Sequence, residues 1–176
     1  MGPLIRRNHA GEEHLLESDP REDAEGGTPE LQFRKFRRIL RRWSLKDGVK
    51  ELLSLLRGRG KKVGLVTNVG KRAVQEALGR FGVRDFFDEV VTRNDTTFMK
   101  PRGEGIRRCL SALGVRREEA IFIGDSLSDL HAARDAGVRV AIVKGGESLP
   151  EEILKEPPDY LWDSLKEALK VLKADG

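Results

Sequence analysis

The 176-residue chain is 38% hydrophobic and 35% charged, with a formal net charge of +4. That length suits one domain with a sizeable core, and the charge is too small to imply a polyanion partner by itself. The single cysteine, Cys109, excludes an intrachain disulfide, and no apolar run approaches the roughly 18 residues of a membrane span. Without a signal peptide or membrane segment, the expected location is a reducing, cytoplasmic one.

Residues 1–30 read as an acidic, poorly ordered arm. Glu12, Glu13, Glu17, Asp19, Glu22, Asp23, Glu25 and Glu30 crowd a stretch with few large apolar side chains. His9 and His14 lie there without a partner at metal-ligand spacing. Residues 31–45 then change sign. Phe33, Phe36, Leu40 and Trp43 recur at three and four residues, which places one apolar stripe on a helix. Arg34, Lys35, Arg37, Arg38, Arg41, Arg42 and Lys46 cover the remainder of that run. The favoured reading is a helix docked on the core, its basic face solvated or neutralised by the arm. A nucleic-acid-binding helix is the weaker alternative.

From Asp47 onward the pattern is regular. Asp47 is a fair N-cap for a helix over 49–57, and Gly58 and Gly60 end it. Residues 62–67 read as a buried strand ending at Thr67-Asn68, and 71–80 as a helix stopped by Gly82. A strand is expected over 86–92, a polar loop over 94–101, and a helix over 106–113 with Cys109 on its apolar face. Residues 120–123 form a further buried strand, followed by a helix to Ala136 with Ser126 or Ser128 as its cap. A strand over 138–143, a short extended piece over 159–161 and a closing helix over 165–172 complete the chain. Strands alternating with helices of this length mean βαβ units. The expected fold is a three-layer α/β/α sandwich with a mainly parallel, doubly wound, Rossmann-like sheet over 46–176.

In such a sheet, ligands bind beyond the carboxyl ends of the strands. Thr67 and Asn68 end one strand with a hydroxyl and an amide, and Asp125 and Asp129 straddle the turn after another. Lys100 lies in a loop, fixed by Pro101. A hydroxyl and an ammonium suit phosphate oxygens, and carboxylates suit a hard cation such as Mg²⁺. Together they are what phosphoryl transfer needs, since its catalysis is mostly positioning and charge stabilisation. Two other glycine-rich stretches fail as phosphate loops. Arg72 stands where a Mg²⁺-binding Ser or Thr is required, and Gly58-Arg59-Gly60 precedes its strand instead of following it. His131 sits within a helix, with no Ser or Cys nucleophile and base visible beside it.

These residues resemble the haloacid dehalogenase-like (HAD) superfamily of hydrolases, particularly phosphatases of the phosphoglycolate phosphatase type. The likeness rests on Asp47-Gly48-Val49, Thr67-Asn68, Lys100-Pro101, Gly124-Asp125-Ser126 with Asp129, and Ala136-Gly137-Val138. It implies that Thr67 and Asn68 bind phosphate and that Lys100 neutralises it. It further implies that Asp125 holds Mg²⁺, with Asp129 a second metal-site carboxylate or the group that positions Lys100. The implied substrate is a small phosphorylated metabolite. One departure stands out: the superfamily's nucleophile begins an Asp-x-Asp-Gly-Thr-like motif on the middle strand of its sheet, and no such stretch occurs here. The nearest candidate, Leu15-Leu16-Glu17-Ser18-Asp19, has Glu where the nucleophile belongs and is followed by Pro20. The arm supplies a substitute strand, as from Leu4-Ile5, or the sheet closes without one, or the chain is a truncated product.

Three functions follow. The first is a Mg²⁺-dependent phosphomonoester hydrolase, with Thr67, Lys100 and Asp125 as its catalytic residues. The second is an inactive or truncated phosphate- and metal-binding module. The third is a nucleic-acid-associated protein acting through the basic helix, a partner class not expected here. No membrane partner is expected, and the stripe from Phe33 to Trp43 offers a surface for a homodimer.

Overall fold

A computed structural model describes residues 5–7, 43–145 and 150–174. The arm with Glu17 and Asp19, and the stripe from Phe33 to Leu40, lie outside the described residues. The elements run β1 (Ile5–Arg7), β2 (Trp43–Leu45), α1 (Val49–Gly58), β3 (Gly64–Val66), α2 (Lys71–Phe81) and β4 (Glu89–Val91). They continue as α3 (Glu104–Leu113), β5 (Ile121–Gly124), α4 (Leu127–Ala136), β6 (Arg139–Val143), α5 (Pro150–Lys155), β7 (Tyr160–Trp162) and α6 (Leu165–Ala174).

The side chains sort into two cores because strand residues alternate faces. Ala141 and Val143 of β6 pack with Leu52 and Leu53 of α1, Val74 and Leu78 of α2, and Leu165 and Ala168 of α6. Val140 and Ile142 of the same strand pack with Ile106 of α3, Leu130 and Ala133 of α4, and Ile153 of α5. The result is the expected α/β/α sandwich. Cys109 is buried in α3, and burial pushes its thiol up to about 12, so it is a small core residue with little thiolate character. Among the described residues no helix is long and apolar enough to cross a membrane.

The sheet itself is in two parts. β3 and β4 pair in parallel, and β5, β6 and β7 form a separate parallel sheet in that order. Both parts serve the same two cores: Leu65 and Ile123 join one, Val66 and Phe122 the other. Yet these four side chains are half-buried, whereas β6 is buried from Val140 to Val143. Among the described residues, no strand pairs with the remaining edge of β3 or of β5. Apolar side chains in the middle of a three-layer sandwich are expected to be fully covered. Their partial exposure falls where, among the described residues, strand pairing between the two half-sheets is interrupted.

Three local expectations change. Trp43–Leu45, read as the end of the basic helix, is a strand paired antiparallel with Ile5–Arg7. Three residues are too few for a helical stripe to be told from an extended segment, and the partner strand decides. Asp47 does not cap α1; Gly48 does, at φ 87°. Only glycine adopts that left-handed conformation freely, and it turns the chain against Leu165, Lys166 and Leu169 of α6. The strand expected over 86–92 is shortened, because 84–86 winds as a single 3₁₀ turn before β4.

The split sheet predicts an uneven exchange pattern. Backbone amides of β6, flanked on both sides, should exchange with deuterium most slowly, while about half of those in β5 exchange markedly faster. Uniform protection across β5 and β6 in a peptide-resolved exchange experiment would show that the strand pairing is continuous.

Candidate functional site

Four of the five residues expected to form the site are linked by hydrogen bonds at the carboxyl ends of β3 and β5. The link begins at Asn68, two residues past β3. Its side-chain amide donates to the Lys100 carbonyl (3.1 Å), and its side-chain oxygen accepts from the Lys100 N–H (3.0 Å). This reciprocal pair pins the main chain of Lys100, whose bond to Pro101 is cis. The Lys100 side chain then crosses to the other half-sheet. Its ammonium donates to Asp129 Oδ1 at 2.6 Å and lies 5.9 Å from the centre of the Phe122 ring on β5.

Asp129 is held from the other side by its own turn. Ser126 caps α4 by accepting from the Asp129 N–H (3.3 Å). In return, Asp129 Oδ2 accepts from the Ser126 hydroxyl (2.8 Å) and from the Asp125 N–H (3.1 Å). The fit is close enough to dictate the residue at position 124. A Cβ on Gly124 would stand 2.3 Å from the Asp129 Cβ, so only glycine admits this turn.

The carboxylates differ in what surrounds them. Burial works against the charge of Asp129, but the Lys100 ammonium and the bonds from Asp125 and Ser126 outweigh it, holding the carboxyl below the usual aspartate range. Burial also dominates at Asp125 and pushes its carboxyl up, against the pull of a cation the sequence analysis did not single out. That cation is Lys46. Its ammonium donates to Asp125 Oδ2 at 2.8 Å, with the Lys46 side chain 13% exposed and that of Asp125 5%. In the sequence Lys46 is one more basic residue at the end of a basic run, so nothing local distinguishes it.

Thr67 follows β3 directly and is buried. Its N–H donates to the Val91 carbonyl (3.0 Å), and its hydroxyl oxygen accepts from the Val69 N–H (3.2 Å). In that role the hydroxyl keeps a proton to donate. A separate groove lined by Arg134, Gly137, Arg139 and Asp159 lies at the amino end of β6, and Asp159 there is bound to the Val140 N–H. It shares no residue with the strand-end constellation.

Whether these residues suit Mg²⁺ depends on free carboxylate oxygens. Among the described residues, no group of three or more His, Cys, Asp and Glu is placed to hold a metal. Both Asp129 oxygens are occupied by Lys100, Ser126 and Asp125. Asp125 is the carboxylate that could serve as a direct ligand. That fits magnesium's usual demand of one or two carboxylates, with waters and substrate phosphate completing the octahedron.

The sequence matches the model of the family described as haloacid dehalogenase-like hydrolase over residues 6–143. A pyrophosphatase PpaX of Halalkalibacterium halodurans is 30% identical over 126 residues, covering 72% of this chain and 59% of that protein. A phosphoglycolate phosphatase of Nitrosococcus oceani is 33% identical over 132 residues, covering 75% of this chain and 59% of that protein. This chain therefore spans under two thirds of the length of these relatives. The crystal structure of a HAD phosphatase from Thermococcus onnurineus superposes with a TM-score of 0.68 at 29% identity, covering 78% of this chain and 62% of that one. CbbY from Rhodobacter sphaeroides, solved with phosphate, shares the fold at a TM-score of 0.71 and 24% identity, over 81% of this chain and 67% of that one.

Removing the Asp129 carboxylate would leave the Lys100 ammonium buried without its partner. Asp129→Ala should cost about 3–5 kcal/mol of unfolding free energy in urea, as broken buried pairs do. Glu119→Ala, which breaks an exposed pair with Arg116, should leave the midpoint where it is.

Proposed function

Because this chain belongs to the haloacid dehalogenase-like hydrolases, we propose that residues 43–174 carry the phosphate- and cation-binding side of a phosphatase for small phosphorylated metabolites. The observation behind this reading is the link from Asn68 through Lys100 to Asp129 and Asp125, which joins two strand ends from different half-sheets. In it, Thr67 donates its hydroxyl to a phosphoryl oxygen. Lys100 offsets the phosphate's negative charge, held in place by Asn68 at its backbone and by Asp129 at its ammonium. Asp125 is the ligand for Mg²⁺, which when bound would shield the phosphate oxygens from the carboxylates. Preorganised charge of this kind is the main resource in phosphoryl transfer. The relatives named pyrophosphatase and phosphoglycolate phosphatase support a small phosphorylated substrate.

A second reading keeps the binding and drops the hydrolysis. It is favoured by the break in the sheet. A nucleophilic carboxylate would have to reach the phosphate from between β3 and β5, and among the described residues no strand occupies that place. Glu17 and Asp19 lie outside the described residues.

Turnover of p-nitrophenyl phosphate with Mg²⁺ separates the two. An active enzyme should lose on the order of 100-fold in kcat with Lys100→Met, the size of effect seen when one transition-state donor is removed. A binding module should show no turnover in any form. It should still be stabilised by inorganic phosphate with Mg²⁺, by about 2.7 kcal/mol at a hundred times Kd. Neither turnover nor stabilisation would sink both readings.

A further inference from the structure

Lys46 takes no part in the reading above, yet it holds the one carboxylate assigned to the metal. Its ammonium is 2.8 Å from Asp125 Oδ2 and mostly shielded from solvent. The lysine is not a loose surface arm reaching inward. Its carbonyl accepts from the Val49 N–H at the start of α1 (3.2 Å), and the next turn residue, Gly48, sits against Leu165 and Leu169 of α6. Two helices thus fix the point from which the side chain extends.

Among the described residues its ion pairs balance. Lys46 stands on Asp125 and Lys100 on Asp129, two ion pairs between side chains that are each at most 13% exposed. A divalent cation brought to Asp125 would add two positive charges to a pair of ion pairs that are already neutral. It would also need an oxygen at roughly 2.1 Å, on a carboxylate whose Oδ2 already carries an ammonium. Even with the metal on the other oxygen, Oδ1, two cations on one carboxylate repel strongly where water is scarce. Lys100 cannot yield instead, because its main chain is pinned by Asn68 and its ammonium satisfies the buried Asp129.

We propose that Lys46 is the cluster's internal counter-ion, which neutralises Asp125 in the metal-free protein and competes with a divalent cation for that carboxylate. Lys46 acts through Asp125, so it is a positioning residue that sets metal affinity. The inference rests on Asp125 being the magnesium ligand.

The test compares Lys46→Met with the full wild-type chain. Methionine keeps the unbranched stem and removes the charge. Without metal, Lys46→Met should melt below wild type, because a buried carboxylate loses its partner. With Mg²⁺ its melting temperature should rise by more than that of wild type. Titration calorimetry should give a magnesium Kd about fivefold or more lower, the lower end of ordinary coupling between two sites. Lys46→Arg, which keeps the charge, should bind magnesium as wild type does. If Lys46→Met does not fold, Lys46→Gln serves for the same comparison. An equal or weaker magnesium Kd in the uncharged variants overturns the inference while leaving the metal site standing. No magnesium-dependent rise in any of these proteins overturns the assignment of Asp125, and this inference with it.

Discussion

A carboxylate almost cut off from water, Asp129, ties the two halves of this protein together. A buried charge is tolerated only when it is paired and its lone pairs are satisfied. Asp129 meets that condition with one ammonium, one hydroxyl and one backbone N–H. Each of those partners depends on another element. The ammonium comes from a loop braced on Asn68, beyond β3. The hydroxyl and the N–H come from the turn after β5, which Gly124 alone permits. The polar link does at the strand ends what backbone pairing does not do along the strands.

Helices do the rest of the joining. Leu65 and Ile123 share one core and Val66 and Phe122 the other, although β3 and β5 lie in different half-sheets. The α3 helix touches β3, β4 and α4, so it spans both halves on one face. The described residues therefore keep a two-sided core without a continuous sheet among them. The family resemblance places the nucleophile's strand in the middle of the sheet, and among the described residues that is where strand pairing is interrupted.

The same break organises the electrostatics. Two half-buried lysines answer two buried aspartates at the strand ends. The pairs are not equivalent. Lys100 is locked by main-chain bonds to Asn68, and its aspartate is satisfied on both oxygens. Asp125 is held by Lys46, and it carries the carboxyl that burial makes harder to ionise. The first pair is braced on every side, whereas in the second only one carboxylate oxygen is engaged, which is why the proposed exchange with a cation is placed there.

Much of the fold was legible along the chain because its signals are local. The period of apolar residues in α1, α2, α3 and α6, and the short apolar runs of β5 and β6, reflect which faces must leave water, although in β5 Ile121 stays exposed and Phe122 and Ile123 half-buried. Thr67, Lys100, Asp125 and Asp129 could be named because a parallel sheet collects strand ends at one edge. The short strand Trp43–Leu45 was hidden because three residues carry no period and its pairing partner lies in a distant part of the sequence. The bracing of Lys100 by the Asn68 side chain was not foreseen, since a side-chain amide serves whichever backbone approaches it. Lys46 looked like one charge among many until folding set it on Asp125, 79 positions away. Composition and periodicity determined the layers, the direction of the strands and the edge where the chemistry gathers. Only the tertiary structure decided which cation meets which carboxylate and where, among the described residues, strand pairing is interrupted, because both depend on groups that are neighbours in space and strangers in sequence.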